Sequence, residues 1–159
     1  MPTRPDERDG RPDTHRSTGL LRRKWRAWRN YRMSDRLLIL EAATWLGLSR
    51  FFVVWFPFRW LGPWLRKPAI RPGRPELALR IGRAVLTASR HVPWQAACLP
   101  QALAAKLMLA LRGQGSALHL GARIDEGGDL AAHAWLTCDG NIVTGGAGLP
   151  GYTPLVQLG

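Results

Sequence analysis

Cys98 and His133 are the residues whose types and spacing could do chemistry. Cys98 opens the run CLPQALAAKLMLALRG, in which Leu99, Leu103, Leu107 and Leu111 recur every four residues and predict a helix with one apolar stripe. A cysteine at that helix start faces the positive end of the helix dipole, where thiolate is favoured over thiol. His133 lies in Ala132-His133-Ala134-Trp135-Leu136-Thr137, whose alternation predicts a strand with His133, Trp135 and Thr137 on one face. If that face meets the helix start, Cys98 and His133 make a nucleophile and its base.

A third group must hold the imidazole's tautomer. Asp139 is the nearest acid by sequence, but it sits six residues beyond His133, roughly 20 Å along an extended strand. Asp139-Gly140 also reads as a hairpin turn, which places Gly145 and Gly146 across from His133 without a carboxylate. Asp125, Asp129, a backbone carbonyl or solvent are the alternatives. Cys138 falls on the opposite strand face from His133 and beside the turn, a poor position for a nucleophile served by that base. A zinc site from Cys98, Cys138, His119 and His133 would mix ligand types acceptably, but the spacing matches no compact zinc module. Neither a metal nor another cofactor is expected.

The elements that must position this pair follow from the rest of the chain. Its 159 residues are enough for one domain with a core. Residues 1–19 are rich in Arg, Asp, Pro and Gly and are expected to be a disordered basic tail. Residues 20–70 form a helical, Trp-rich region: a basic amphipathic helix from Leu20 to Arg32, a helix from Asp35 to about Leu48 capped by Ser34, and an apolar run continuing to Pro57. Leu37 to Phe56 approaches the length of a membrane span, yet Glu41 and Arg50 interrupt it. A buried helical hairpin, a partner-binding face and an interfacial membrane helix are the alternatives to a span. The segment from Lys67 to Gly73 reads as a linker, and residues 71–159 as the catalytic domain.

Within that domain, Pro75 starts a helix that ends near Arg90, burying Leu77, Ile81, Ala84, Val85 and Ala88. The Cys98 helix runs to Arg112 and stops at Gly113. Strands follow over Ala117 to Ile124, Leu130 to Cys138 and Asn141 to Thr144, with a possible edge strand from Tyr152 to Leu158. Helices first and a small antiparallel sheet after make an α+β fold.

Charge separates the two halves. Residues 1–91 hold 20 Lys or Arg against 7 Asp or Glu, whereas residues 92–159 hold 3 against 4. A uniformly nucleic-acid-coating protein is therefore disfavoured, and nothing beyond charge supports nucleic-acid binding through residues 20–36. Two widely separated cysteines argue for a reducing compartment, and the first residues show no signal-peptide pattern, so a cytoplasmic location is expected, with a membrane surface as the alternative.

The stretch HVPWQAACLPQALAAKLMLALRG, followed by LHLGARI and LAAHAWLTCDGNIVTGG, resembles the lasso-peptide biosynthesis leader peptidases, small bacterial cysteine proteases with a transglutaminase-like, papain-like core. The likeness extends over about residues 20–158. It implies Cys98 as nucleophile and His133 as general base. From position alone, Gln95 before the helix is a candidate second oxyanion donor beside the Cys98 amide, and Trp135, on the base's face, either walls the cleft or simply packs. The resemblance also implies cleavage between the leader and core of a ribosomally made precursor, a separate leader-recognition protein, and a separate ATP-using cyclase that closes the macrolactam; an acyl-transferring enzyme of the same fold and a non-catalytic basic peptide-binding scaffold are the alternatives. In relatives where an aspartate completes the triad from the strand after the hairpin, this chain reads Ile142-Val143-Thr144-Gly145-Gly146.

Overall fold

The computed structural model describes residues 32–55, 73–124, 127–147 and 149–159. The expected tail over residues 1–19, all but Arg32 of the expected basic helix, and the segment 56–72 lie outside the described residues. Three helices and four strands are described, in the order α1 (Met33–Trp55), α2 (Pro75–Ser89), α3 (Cys98–Ala110), β1 (Ala117–Ile124), β2 (Leu130–Cys138), β3 (Asn141–Thr144) and β4 (Thr153–Leu158). The chain divides after Arg36, and the unit Leu37–Gly159 holds the rest of α1 and every later element.

α1 is one continuous helix through Trp55, longer than the expected stop near Leu48. No proline interrupts it, and Gly47, which costs a helix about 1 kcal/mol relative to alanine, lies where the Trp94 ring passes 3.6 Å from a Cβ position. The two charges that break its apolar run have partners in the protein. Glu41 accepts a two-pronged bond from the Arg112 guanidinium at 2.7 and 2.8 Å, and Arg50 donates to the Gln95 carbonyl at 3.0 Å. Ile39, Ala42, Leu46 and Ser49 are buried, while Leu37, Leu40, Leu48, Phe51 and Trp55 are exposed. At 100° per residue those two sets occupy opposite sides of the helix. By length and composition alone α1 could cross a membrane.

α2 begins with Pro75 in its first turn, as the missing proline N–H predicts. It buries Ala78, Ile81, Gly82, Ala84, Val85 and Ala88, while Leu77 is only half-buried. A Cβ at Gly82 would collide with the Val143 carbonyl, so α2 lies directly on β3. α3 departs from its expected stripe. Of Leu99, Leu103, Leu107 and Leu111, only Leu103 is buried, and Leu111 is 64% exposed beyond the helix end. The reason is that α3 packs against both α2 and the sheet. It buries Ala102, Ala104, Ala105, Met108 and Leu109 around much of its circumference, and the alanines let its neighbours approach closely.

The strands form one antiparallel sheet in the order β3-β2-β1-β4. β2 and β3 join through Asp139 and Gly140, both with positive φ (49° and 76°), the backbone of a two-residue hairpin turn. The β1–β2 register pairs His119 with Trp135 and Gly121 with His133. Leu118, Ala134, Leu136, Cys138 and Leu158, each at most 4% exposed, make the sheet's buried face. β4 and β3 are the two edge strands, β4 pairing with β1 and β3 with β2.

Candidate active site

The histidine's surroundings follow from strand alternation. Ala134, Leu136 and Cys138 turn to the buried face, and His133, Trp135 and Thr137 turn to the other. There Trp135 stacks on His119 (centroids 5.2 Å apart, planes 6° apart) and beside His133 (6.2 Å, 21°). Tyr152 lies 5.1 Å from the His133 ring. Trp135 is nonetheless 6% exposed, because its ring lies over Gly121, where a Cβ would approach it within 2.9 Å. Trp135 and Tyr152 thus flank the His133 ring.

One hydrogen bond fixes the imidazole's tautomer. His133 Nε2 is 2.8 Å from the Gly145 carbonyl oxygen, which can only accept, so Nε2 carries the proton and donates it. In the neutral ring Nδ1 is then the basic atom. Gly145 has φ +78°, a conformation that costs an L side chain, and a Cβ there would clash with the Ala134 carbonyl and Trp135. This glycine is what lets the carbonyl turn back to His133.

Cys98 is the first residue of α3 and is half-buried with a free thiol. The N-cap residue Ala97 contributes no side-chain bond, no acid lies in the first turn, and Pro100 has no N–H. The Cys98 and Leu99 amides are therefore the first-turn donors of α3. Gln95, three residues earlier, is exposed, and its carbonyl is held by Arg50. Gln101 closes the segment from the other side by donating to the Ala96 carbonyl at 2.7 Å. No hydrogen bond joins Cys98 to His133, whose one bond among the described residues goes to Gly145.

Asp139 is exposed in the β2–β3 turn, at the far end of β2 from His133. Cys138 is 1% exposed, and burial first, then the Asp139 charge, push its thiol pKa up. His119 Nε2 lies 2.9 Å from Thr137 Oγ1, and Trp135 separates its ring from His133. Sequence reasoning places Gly145 across from His133 and includes a backbone carbonyl among the groups that could hold the ring; it misses Tyr152, which no local pattern announces.

A small antiparallel sheet with a histidine on its second strand, packed against a helix that begins at a cysteine, is an architecture for cysteine-based acyl chemistry. The chain belongs to the Transglutaminase-like superfamily, whose family model matches residues 52–157. That superfamily comprises in general cysteine-type enzymes, and membership points to cysteine protease or acyl-transfer activity. No curated protein and no solved structure matched the chain.

Proposed function

We propose that this protein is a cysteine peptidase that removes the leader from a ribosomally made lasso-peptide precursor, freeing the core N-terminus for a separate ATP-using cyclase. The Cys98 and His133 motifs support the family reading, and the observation that carries the chemistry is the His133 Nε2–Gly145 carbonyl bond, which leaves Nδ1 as the base. In this reading Gly145 orients the ring in place of Asp139.

The Cys98 thiol passes its proton to His133 Nδ1 as its sulfur attacks the carbonyl carbon before the scissile bond, and the Cys98 backbone amide, with Gln95 as a second donor, receives the developing oxyanion. The C–N bond breaks as the departing amine takes the proton from imidazolium Nδ1, leaving a thioester on Cys98. Nδ1 then takes a proton from water, whose oxygen attacks the thioester, and the leader acid departs from the regenerated thiol. This reading requires the Cys98 sulfur and His133 Nδ1 to come together with substrate seated, since no hydrogen bond joins them in the free protein and catalytic bonds often tighten only in the complex. Trp135 walls the base in.

A separate leader-recognition protein is part of this reading, because every described strand lies after residue 116. We assign the outer face of α1 to an anionic bilayer surface: its exposed leucines and aromatics would enter the interface, and the basic excess of residues 1–91 would meet the headgroups.

The test is the intact mass of precursor incubated with the protein and its recognition partner, wild type against Cys98→Ala. Leader and core masses that sum to precursor plus water, absent with the variant, are expected. A product carrying an amine acceptor instead of water would make the enzyme an acyltransferase. Uncut precursor with folded wild-type protein and partner would remove the peptidase reading.

A further inference from the structure

The half of the chain that holds the site has three cations, and two of them are committed. Lys106 is 7% exposed and donates to the Ser116 and Leu158 carbonyls, and Arg112 is clamped on Glu41. Arg123 is different. It is exposed on β1, two residues beyond the Gly121 that pairs with His133, and no carboxylate among the described residues pairs with it. Its guanidinium carbon stands 4.9 Å above the centre of the Tyr152 ring, and that ring is 5.1 Å from the His133 ring. Its stem runs beside Gly151, with Cδ 3.9 Å from where a Cβ would sit. An arginine held over an aromatic face has lost part of its freedom in advance and keeps its N–H edges directed outward.

We propose that Arg123 reads the substrate: it takes the carboxylate of an acidic side chain flanking the reacting bond. The proposal rests on the reading that His133 serves that bond. Two ring contacts of 4.9 and 5.1 Å separate guanidinium from imidazole, so at about 3.3 Å per residue an extended peptide brings a side chain two or three positions from the bond beneath Arg123. The planar fork of the guanidinium matches a carboxylate with two parallel N–H bonds. A lysine or arginine at that substrate position would be repelled.

The experiment uses the full chain and neutral epoxysuccinyl diamide peptides, extended in either direction, with Glu, Gln or Lys two or three positions from the epoxide. Cys98 thiolate opens the ring: a C–S bond forms, a C–O bond breaks, and the alkoxide takes a proton from the imidazolium. The rate of the mass adduct at Cys98 is the readout. In wild type, Glu probes of at least one direction should react about tenfold faster than their Lys counterparts, with Gln between them. Arg123→Glu should invert the order, and Arg123→Gln should bring the ratio near one; either variant suffices if the other fails to fold. Melting temperature and the iodoacetamide rate at Cys98 should stay as in wild type. Labelling of Cys98 without charge preference, or a preference that survives both substitutions, overturns the role of Arg123 and leaves the cysteine enzyme intact. Probes that label Cys98 no faster than they label the same peptide unfolded in urea overturn the function reading, and this inference with it.

Discussion

The Gly145 carbonyl oxygen lies 2.8 Å from His133 Nε2, which in the proposed mechanism is the place of a third catalytic acid. Gly145→Ala should therefore lower precursor cleavage by roughly tenfold or more, because a side chain at φ +78° costs about 1–3 kcal/mol and this one also meets the Ala134 carbonyl and Trp135. Asp139→Asn should hold its rate within about twofold, since asparagine tolerates the left-handed turn conformation. Initial rates beside melting curves separate lost orientation from lost fold. A large loss in Asp139→Asn with unchanged melting would return the orienting role to Asp139.

The two cysteines should behave differently toward iodoacetamide. Folded protein is expected to take one label, at Cys98, because Cys138 is buried beneath Gly73 and its thiol is held protonated by burial and the adjacent Asp139. Peptide mapping after a short exposure near pH 7.5 checks this. Equal labelling of the two would contradict the burial of Cys138.

His119 predicts a specific acid sensitivity. Burial, and secondarily the Lys106 charge, lower its pKa in the fold below the ordinary 6.5. In the window from 6.5 down to that lowered value the unfolded chain binds more protons, so stability falls as pH falls. Urea unfolding from pH 7.5 to 5 should show this slope, and His119→Gln should flatten it. A slope unchanged by that substitution would assign the sensitivity elsewhere.

Lys106 acts in the opposite range. Burial lowers its pKa from 10.5, so between the lowered value and 10.5 the unfolded chain again binds more protons and stability rises with pH. Lys106→Met should remove that alkaline gain, measured by urea unfolding from pH 8 to 10.5.

The Glu41–Arg112 pair ties α1 to the end of α3. Both side chains are about a third exposed, so Glu41→Gln should cost about 1 kcal/mol, or roughly 2–4 °C in melting temperature, and less at high salt. No change at low salt would mean that solvent replaces the bond without loss.

The outer face of α1 gives a binding prediction. The protein should co-sediment with phosphatidylglycerol vesicles more than with phosphatidylcholine vesicles, and joint replacement of Leu37, Leu40, Leu48 and Phe51 by serine should reduce this at least tenfold. Equal sedimentation of wild type and variant would leave that face to a protein partner.

Sequence alone determined much of the local structure and the α+β class. β1, β2 and β3 fall on their expected bounds, since alternation, the Asp139-Gly140 turn and the intervening glycines are local signals. Pro75 and Pro93 likewise bracket α2. The buried side of α3 was not legible, because a helix packed against a sheet and another helix loses the single stripe that periodicity detects. Cys98 and His133 stood out by residue type and position, whereas what holds His133 stayed open among several acids, a backbone carbonyl and solvent. A backbone carbonyl has no residue type to search for, and Tyr152 reaches the ring only because β4 returns alongside β1. Tertiary structure decided which groups surround the histidine, for the physical reason that sheet pairing joins residues whose separation in sequence carries no local trace.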